Sequence, residues 1–290
     1  MKTVAEVFDR HFVGTSDEIK QSTERWRQSD PRLRRYEYNP LISRPAVTLP
    51  DGRPLVPQPH YAFQRLSVSA IYYAATEILE RNDGDKFTRD LGVAFQDYVG
   101  RQLSLMPDVE VLPEVFYDND QRSVDWFVVF DDLVVLVEAK TTRLPVFARM
   151  GTNSLADDLE RSIGRAFRQV ARTDRLLAEE HPAFASIPKD RPRRGLVVTL
   201  EPYWAVNTPH VRRMLPHDSG EEIAVASIRS IEHFVCIARV EGPSVVSRLL
   251  MSPGDEWTTI ERPQPPPGVE RNPLLEAAWA RLKFHGAPDE

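Results

Sequence analysis

Two acidic residues and one lysine interrupt runs of otherwise apolar residues. Asp125 lies within Val124-Asp125-Trp126-Phe127-Val128, while Glu138 and Lys140 end a run of Val, Leu and Ala that starts at residue 133. Charge inside such runs is unfavourable unless it has partners. Two carboxylates that share a site repel each other, and a hard divalent cation between them removes that repulsion. The three residues therefore indicate a site for Mg²⁺ or Mn²⁺, which keeps water ligands and accepts phosphate oxygens.

A hairpin would bring these residues together. Asp131-Asp132 separates the two apolar runs, and aspartate tolerates the left-handed backbone of tight turns. Counted outward from this turn, Asp125 faces Glu138, with Cβ atoms ~4.5–5.5 Å apart. Lys140 then points to the same face, about 6.6–6.8 Å further along the strand. The predicted chemistry depends on this register, because a slip of one residue moves a strand's side chains to the other face.

The same spacing also fits a purely structural role. In that interpretation Lys140 pairs with both acids, and the three side chains form an ion triad at a strand end. Clusters of charge mark functional sites only in a fraction of cases. The spacing alone therefore leaves the metal site and the structural triad open.

The predicted elements alternate between helical and strand patterns. Apolar spacing predicts helices over 61–81 and 88–103, separated by a turn at Asn82-Asp83-Gly84-Asp85. Strands are expected over 109–117, 123–130, 133–140, 195–200 and 222–228, with a long helix over 154–180. Ser230 is expected to cap a helix that runs to about Arg239. The core order of helix, three strands, helix and strand (αβββαβ) predicts a mixed α/β domain.

This order and motif resemble the PD-(D/E)XK nuclease superfamily, which has the restriction-endonuclease-like fold. The resemblance lies in Asp125, twelve intervening residues, and Glu138-Ala139-Lys140 on a Val/Leu strand, and it covers roughly residues 88–201. It implies a mixed central sheet flanked by helices. It also implies that Asp125, Glu138 and the backbone carbonyl of Ala139 bind the metal. Lys140 would orient or deprotonate the attacking water. Val124 departs from the proline that usually precedes the first aspartate.

Three further residues are candidates for the site. Many members of the superfamily add a glutamate from the preceding helix, and Gln96 stands at the matching position here. Glu114, on the first predicted strand, is a second supplementary candidate. Related nucleases often carry a glutamine on the helix after the site, which makes Gln169 a candidate catalytic residue. An ordinary surface glutamine fits the same position of the sequence.

The helix after the site carries a row of arginines. They recur at spacings of four and three residues, opposite an apolar face, and are Arg161, Arg165, Arg168, Arg172 and Arg175. Guanidinium groups suit the phosphates of a nucleic-acid backbone. A solvated helix face with i,i+4 ion pairs explains the row equally well.

Composition bounds the remaining expectations. The net charge is −6, so only local basic patches could bind nucleic acid, and residues 20–36 and 141–200 each carry an excess of four positive charges. The single Cys236 excludes an internal disulfide and a cysteine-rich zinc site. The sequence lacks an apolar run long enough for a membrane helix and a signal-peptide core, so we expect a cytoplasmic protein with no membrane partner.

The expected organisation has three parts. Residues 1–60 form an arm rich in Pro and Arg, 61–240 form the nuclease-like domain, and 241–290 form a proline-rich linker and a terminal helix. The expected function is Mg²⁺- or Mn²⁺-dependent hydrolysis of phosphodiester bonds, in DNA more than in RNA, with a role in defence or repair. The expected partner is DNA, and a homodimer stays open. The alternatives are a non-catalytic module that binds nucleic acid or protein, and a phosphoesterase for a small substrate.

Overall fold

The computed structural model describes residues 4–67, 81–141, 159–213, 223–252 and 271–281, together with residues 70, 72, 75, 79, 157 and 215. The chain divides into two compact units. The first comprises Met1–Asp90 and Leu144–Leu155, and the second comprises Leu91–Arg143 and Ala156–Glu290. The predicted linker at 263–268 lies outside the described residues. The expected three-part organisation stays a prediction.

The first unit contains short helices and a small sheet. Its helices are α1 (Val4–Phe12), α2 (Ser16–Arg25) and α3 (Pro59–Arg65), with 3₁₀ turns at Pro31–Tyr36 and Pro40–Ile42. Its three strands are β1 (Val13–Gly14), β2 (Ala46–Thr48) and β3 (Pro54–Leu55), in that order across the sheet. The proline-rich segment is therefore less irregular than the sequence suggests. The helix predicted over 61–81 already ends at Arg65, and most of the rest of that range lies outside the described residues.

The second unit is built around one mixed sheet. The long helix α4 (Arg81–Leu103), whose residues 81–90 belong to the first unit, leads into β4 (Glu110–Pro113). A small hairpin of β5 (Phe116–Tyr117) and β6 (Gln121–Arg122) follows, and then β7 (Trp126–Val129) and β8 (Val134–Lys140). The next elements are a π-helical turn (Glu160–Gly164), α5 (Arg165–Ala178), a 3₁₀ turn (Pro182–Phe184) and β9 (Arg193–Thr199). The chain continues through a 3₁₀ turn (Trp204–Asn207), α6 (Pro209–Arg212), β10 (Ile223–Ser227), α7 (Ile228–Glu241), α8 (Pro243–Met251) and α9 (Pro273–Trp279).

The five strands of this sheet lie in the order β10-β9-β8-β7-β4. β8, β9 and β10 run parallel to one another, whereas β7 is antiparallel to both of its neighbours. Central strands with helices on both faces are apolar on both sides, and residues 134–137 are all buried. The prediction of a mixed α/β fold with a mixed sheet flanked by helices is confirmed, as is the predicted αβββαβ order.

The helices cover opposite faces of the sheet. α4 and α7 pack against one face, where Phe95 and Phe234 join the cluster that includes Val128 and Val135. α5 contacts β8 and β9 from the other face. Because neighbouring side chains of a strand point to opposite faces, Trp126 points towards α4 and Asp125 towards the face of α5.

The predicted register of the central hairpin is confirmed. Trp126 pairs with Val137 and Val129 pairs with Val134, as counting outward from Asp131-Asp132 requires. The N–H of Phe130 donates to the carbonyl of Leu133 (2.8 Å), which closes the predicted turn. The buried, two-sided apolar pattern specifies this register strongly.

Two local predictions were wrong. The expected turn at residues 82–85 lies within α4, where Asp83 stands in the first turn and the Thr88 hydroxyl donates to the Gly84 carbonyl. Acidic residues stabilise the N-terminus of a helix, so this cluster is compatible with the first turn of α4. The helix expected to begin at Ser230 begins at Ile228, with Ser227 at the N-cap.

Candidate active site

Asp125 lies just ahead of β7, beside the end of β8. Its Oδ2 accepts a hydrogen bond from the backbone N–H of Ala139 (2.7 Å). Extended by one pair, the register of the hairpin sets Asp125 opposite Glu138. The bond to Ala139 turns the aspartate towards β8 and keeps its carboxylate next to the second acid.

Glu138 is the most unusual residue of the site. It is only 1% exposed, and its Oε1 accepts a hydrogen bond from the Lys140 ammonium (2.5 Å). Its second oxygen, Oε2, is buried and has no hydrogen-bond partner among the described residues. A buried carboxylate oxygen without a partner is costly, because water is lost and nothing replaces it. This oxygen therefore has room for a partner that the described residues do not supply.

The protonation of both acids reflects this environment. Burial raises the pKa of Glu138 to about 8, and repulsion from Asp125 adds to the shift, while Lys140 opposes it. Burial also raises the pKa of Asp125, against the lowering effects of the Ala139 hydrogen bond and of Lys140. The two carboxylates therefore resist being charged together, as the sequence predicted for a facing pair.

Lys140 ends β8 with its side chain 26% exposed. The Lys140 carbonyl accepts from the N–H of Leu200, on the side of β9 (3.3 Å). Backbone groups of successive strand residues point to alternate sides, so the N–H and C=O of Ala139 point towards Asp125. The structure thus brings Asp125, Glu138, Lys140 and the backbone of Ala139 together at one end of the hairpin.

Glu114 belongs to the same end of the sheet. It follows β4, and extending the register of β4 and β7 by one pair sets it opposite Asp125. Its negative charge contributes to the raised pKa of Asp125. Its carboxylate also pairs with the Arg122 guanidinium at 3.3 Å. Glu114 thus lies at the edge of the site, held by an arginine.

Gln96 forms no hydrogen bond with the acids among the described contacts. Its backbone carbonyl accepts a hydrogen bond from the Trp126 indole N–H (3.1 Å), so it lies on the helix that covers the Trp126 face. The ring of Trp126 also packs against Gly100, where an added Cβ would come within 2.2 Å of the ring. Only glycine permits this approach of helix and strand, which fixes α4 on the face opposite Asp125 and Glu138.

Gln169 lies close to the site without contacting the acids. Its side-chain amide donates to the backbone carbonyl of Ser123 (2.6 Å), two residues before Asp125. Arg172, from the predicted arginine row, donates to the carbonyl of Arg122 (3.0 Å) and lies over the ring of Tyr117. The amide of Gln169 and the guanidinium of Arg172 therefore bind backbone of their own chain.

The other arginines of the row have exposed side chains. Arg168 forms an ion pair with Glu160, and Arg161, Arg165 and Arg175 are exposed on the same helix. The row is thus divided between Arg172, which holds the chain before Asp125, and exposed arginines that face away from the core. The role of the exposed members in binding nucleic acid stays a prediction.

The donors at this site fit a divalent cation of the Mg²⁺ class. No group of three or more His, Cys, Asp or Glu side chains within the described part of the chain could hold a metal ion. Mg²⁺ does not require such a cage, since it is often bound by one or two carboxylates and keeps several waters. The unpartnered Oε2 of Glu138 beside Asp125 supplies the feature that such a cation needs.

Comparison with known proteins gives little. No family model and no curated protein matches this chain. Among solved structures, it is similar to the small subunit of the heterodimeric restriction endonuclease R.BspD6I, with 12% identity and a TM-score of 0.32. The match covers 66% of this chain and 90% of that one. Separately, the described helices include none that is long and apolar enough to cross a membrane.

One residue at the site was missed by sequence reasoning. Thr173 is fully buried on α5, and its hydroxyl accepts a hydrogen bond from the N–H of Val124 (3.2 Å). Its spacing of four residues from Gln169 sets both on one helix face, which was a usable signal. The signal was overlooked because threonine carries no charge and α5 is otherwise dominated by arginines.

Proposed function

We propose that this protein is a metal-dependent nuclease that hydrolyses phosphodiester bonds, in DNA rather than RNA. The observation that carries the proposal is the buried Oε2 of Glu138, which lacks a partner among the described residues and lies beside Asp125. A structural ion triad has no use for an unpaired buried oxygen, whereas a cation site requires one. The choice of DNA follows from the resemblance to PD-(D/E)XK nucleases alone.

Each residue then has a specific task. Asp125, Glu138 and the carbonyl of Ala139 would hold Mg²⁺ or Mn²⁺, and the bond from Ala139 N–H keeps Asp125 turned towards that place. The bound cation supplies Lewis acidity and lowers the pKa of a bound water. Lys140 would orient the attacking water and offset negative charge that develops on the phosphate. Its partial exposure lets it reach a substrate while its ammonium stays beside Glu138.

The exposed arginines of α5 would contact the substrate. Arg165 and Arg175 are exposed on α5, which covers the acid-bearing face of the sheet, and Arg161 is exposed on the π-helical turn before it. Guanidinium groups bind phosphates with two parallel hydrogen bonds and stay charged at all working pH values. Arg172 is excluded from this task, because its guanidinium already donates to the Arg122 carbonyl.

A cleavage assay tests the proposal. Supercoiled DNA, linear DNA and RNA are incubated with the full chain in Mg²⁺, in Mn²⁺ and in a chelator. We expect cleavage of DNA only with a cation, and its loss in Asp125→Asn, Glu138→Gln and Lys140→Met. Asp132→Asn is the matched control, because it removes a carboxylate from the exposed end of the same hairpin. Equal cleavage by the control and by Glu138→Gln contradicts the proposal.

A non-catalytic binding module is the second candidate. The hydrogen bond between Lys140 and Glu138 favours it, since this pair already neutralises part of the buried charge. In that case the protein binds DNA or a protein through the arginines and hydrolyses no polynucleotide with any cation. Binding that is unchanged by Glu138→Gln, together with absent cleavage by the unmodified chain, supports the binding module over the nuclease.

A further inference from the structure

The backbone directly before Asp125 is held by one face of helix α5. Three consecutive residues, 122–124, each bond to a side chain of that helix. The Arg122 carbonyl accepts from Arg172, the Ser123 carbonyl accepts from Gln169, and the Val124 N–H donates to Thr173. Arg122 ends β6 and β7 begins at Trp126, so Ser123 and Val124 lie between the two strands.

Thr173 is the contact nearest to Asp125. Its hydroxyl is the acceptor for the N–H of Val124, and both residues are fully buried. Without that hydroxyl, the Val124 N–H would be buried with no acceptor and would draw the segment out of place to find one. Asp125 follows immediately, so a shift at Val124 moves the carboxylate that accepts from Ala139.

Val115, in the link between β4 and β5, holds the same segment. Ser123 exchanges two hydrogen bonds with Val115, one through its N–H and one through its hydroxyl. Ser123 is therefore held by Val115, and its hydroxyl also donates to the carbonyl of Val124 (2.9 Å), which belongs to the peptide that leads into Asp125. Thr173 accepts from the N–H of the preceding peptide, between Ser123 and Val124, whose carbonyl accepts from Gln169.

We propose that Thr173 is a positioning residue, which fixes the Asp125 carboxylate against Ala139 and thereby sets the affinity of the acid pair for a divalent cation. The cation part rests on the proposed function. The positional part concerns only the hydrogen bond between Asp125 and Ala139, and it holds or fails without any metal. Outer-shell partners of metal ligands typically change metal affinity or activity by ~10–100-fold when they are replaced.

The test compares Thr173→Val, which is similar in shape and lacks the hydroxyl, with Thr173→Ser, which keeps it. The first measurement is hydrogen exchange at the Ala139 amide in the full chain labelled with ¹⁵N-alanine, without metal. We expect Thr173→Val to accelerate this exchange about tenfold or more and Thr173→Ser to restore it. If Thr173→Val fails to fold, Thr173→Ala carries the same expectation with a smaller steric demand.

Ser247→Ala is the matched control. Ser247 is also fully buried, and its hydroxyl bonds to Asp132 at the turn of the same hairpin. The control removes a buried hydroxyl from the same unit, so a general loosening of the fold would affect both variants alike. We expect unchanged exchange at Ala139 in Ser247→Ala. Equal acceleration in both variants, or unchanged exchange in Thr173→Val, overturns the proposal.

The second measurement is Mn²⁺ titration by calorimetry at pH 8. We expect Thr173→Val to weaken binding by ~10–100-fold, and Thr173→Ser and Ser247→Ala to bind as the unmodified chain does. If the unmodified chain binds no Mn²⁺ and cleaves nothing, the proposed nuclease function fails. In that case, the exchange rate of the Ala139 amide alone tests whether Thr173 positions Asp125.

Discussion

The two ends of the β7–β8 hairpin carry acidic pairs with opposite environments. At the turn, Asp131 and Asp132 are exposed, and Asp132 accepts a hydrogen bond from Ser247. At the open end, Glu138 is buried beside Asp125, and its pKa is raised to about 8. In the sequence, both pairs consist of two acidic residues beside apolar runs. The difference teaches that burial, and not the number of acids, marks the candidate site.

The cause of the difference is the depth of packing. Water reaches the turn, so its carboxylates are solvated. The open end is covered by α5 and flanked by β4 and β9, and Oε2 of Glu138 has no hydrogen-bond partner among the described residues. The protein would not keep an unpaired carboxylate oxygen there for stability, since a neutral side chain of the same shape costs less.

The largest expected effect is a difference in cleavage activity between substitutions at the open end of the hairpin and at its turn. Asp125→Asn and Glu138→Gln should each reduce cation-dependent cleavage of DNA by more than about 100-fold, beyond the range typical of residues that only support metal ligands. Asp132→Asn should retain activity within about threefold. Initial rates on linear DNA in Mg²⁺ measure all three. Comparable loss in Asp132→Asn would remove the distinction between the two ends.

Cation affinity should depend on pH at the open end. Because the pKa of Glu138 is about 8, the cation must displace a proton below that pH. The affinity for Mn²⁺ should therefore rise about tenfold per pH unit from pH 6 to pH 8 and level off above. Calorimetry in buffers of different ionisation enthalpy measures the accompanying release of about one proton. An affinity independent of pH between 6 and 8 contradicts this account.

Glu138→Gln should stabilise the metal-free protein at high pH. The pKa of Glu138 is raised on folding from 4.5 to about 8, so its ionisation opposes folding. The destabilisation is absent below pH 4.5, grows as pH rises towards 8, and is complete above it. Urea unfolding should show a gain in the variant that is small at pH 5 and on the order of 5 kcal/mol at pH 9. Asp132→Asn should show no such dependence, and a gain in Glu138→Gln at pH 5 as large as at pH 9 would count against a buried charge.

The smallest effect is expected from the arginines. Arg175→Gln, at an exposed position, should weaken DNA binding a few-fold and lower the salt dependence by about one counterion. Arg172→Gln should instead impair cation binding, because Arg172 donates to the Arg122 carbonyl before Asp125. Fluorescence anisotropy of labelled DNA over a range of salt concentrations measures the effect of Arg175→Gln, and Mn²⁺ titration by calorimetry measures the effect of Arg172→Gln. A salt dependence unchanged in Arg175→Gln argues against a phosphate contact there.

The sequence was sufficient to predict the hairpin and the facing acids. Two long apolar runs with Asp131-Asp132 between them allow only one register that buries both strands, and that register sets Asp125 opposite Glu138. The small β5–β6 hairpin was not predicted as a separate element. Its loop, Asp118-Asn119-Asp120, adopts left-handed backbone at all three positions, which these residue types tolerate better than most.

The contacts around the site could not be predicted, because they depend on the packing of distant segments. Thr173 and Val124 are 49 residues apart, and no local pattern links them. The contacts of Trp126 with Gly100 and with the Gln96 carbonyl likewise join segments that no spacing along the chain links. Sequence reasoning was accurate for the hairpin, whose strands are neighbours in the sequence, and it missed the contacts between distant segments.

The most direct test is a diffraction experiment on crystals soaked in Mn²⁺ at pH 8, with data collected at the manganese absorption edge. The account predicts one strong anomalous peak within ~2.0–2.4 Å of carboxylate oxygens of both Asp125 and Glu138, with Oε2 of Glu138 among the ligands. Crystals of Glu138→Gln should lack the peak. A fully occupied Mn²⁺ elsewhere, with Oε2 of Glu138 still unbound, would contradict the central claim.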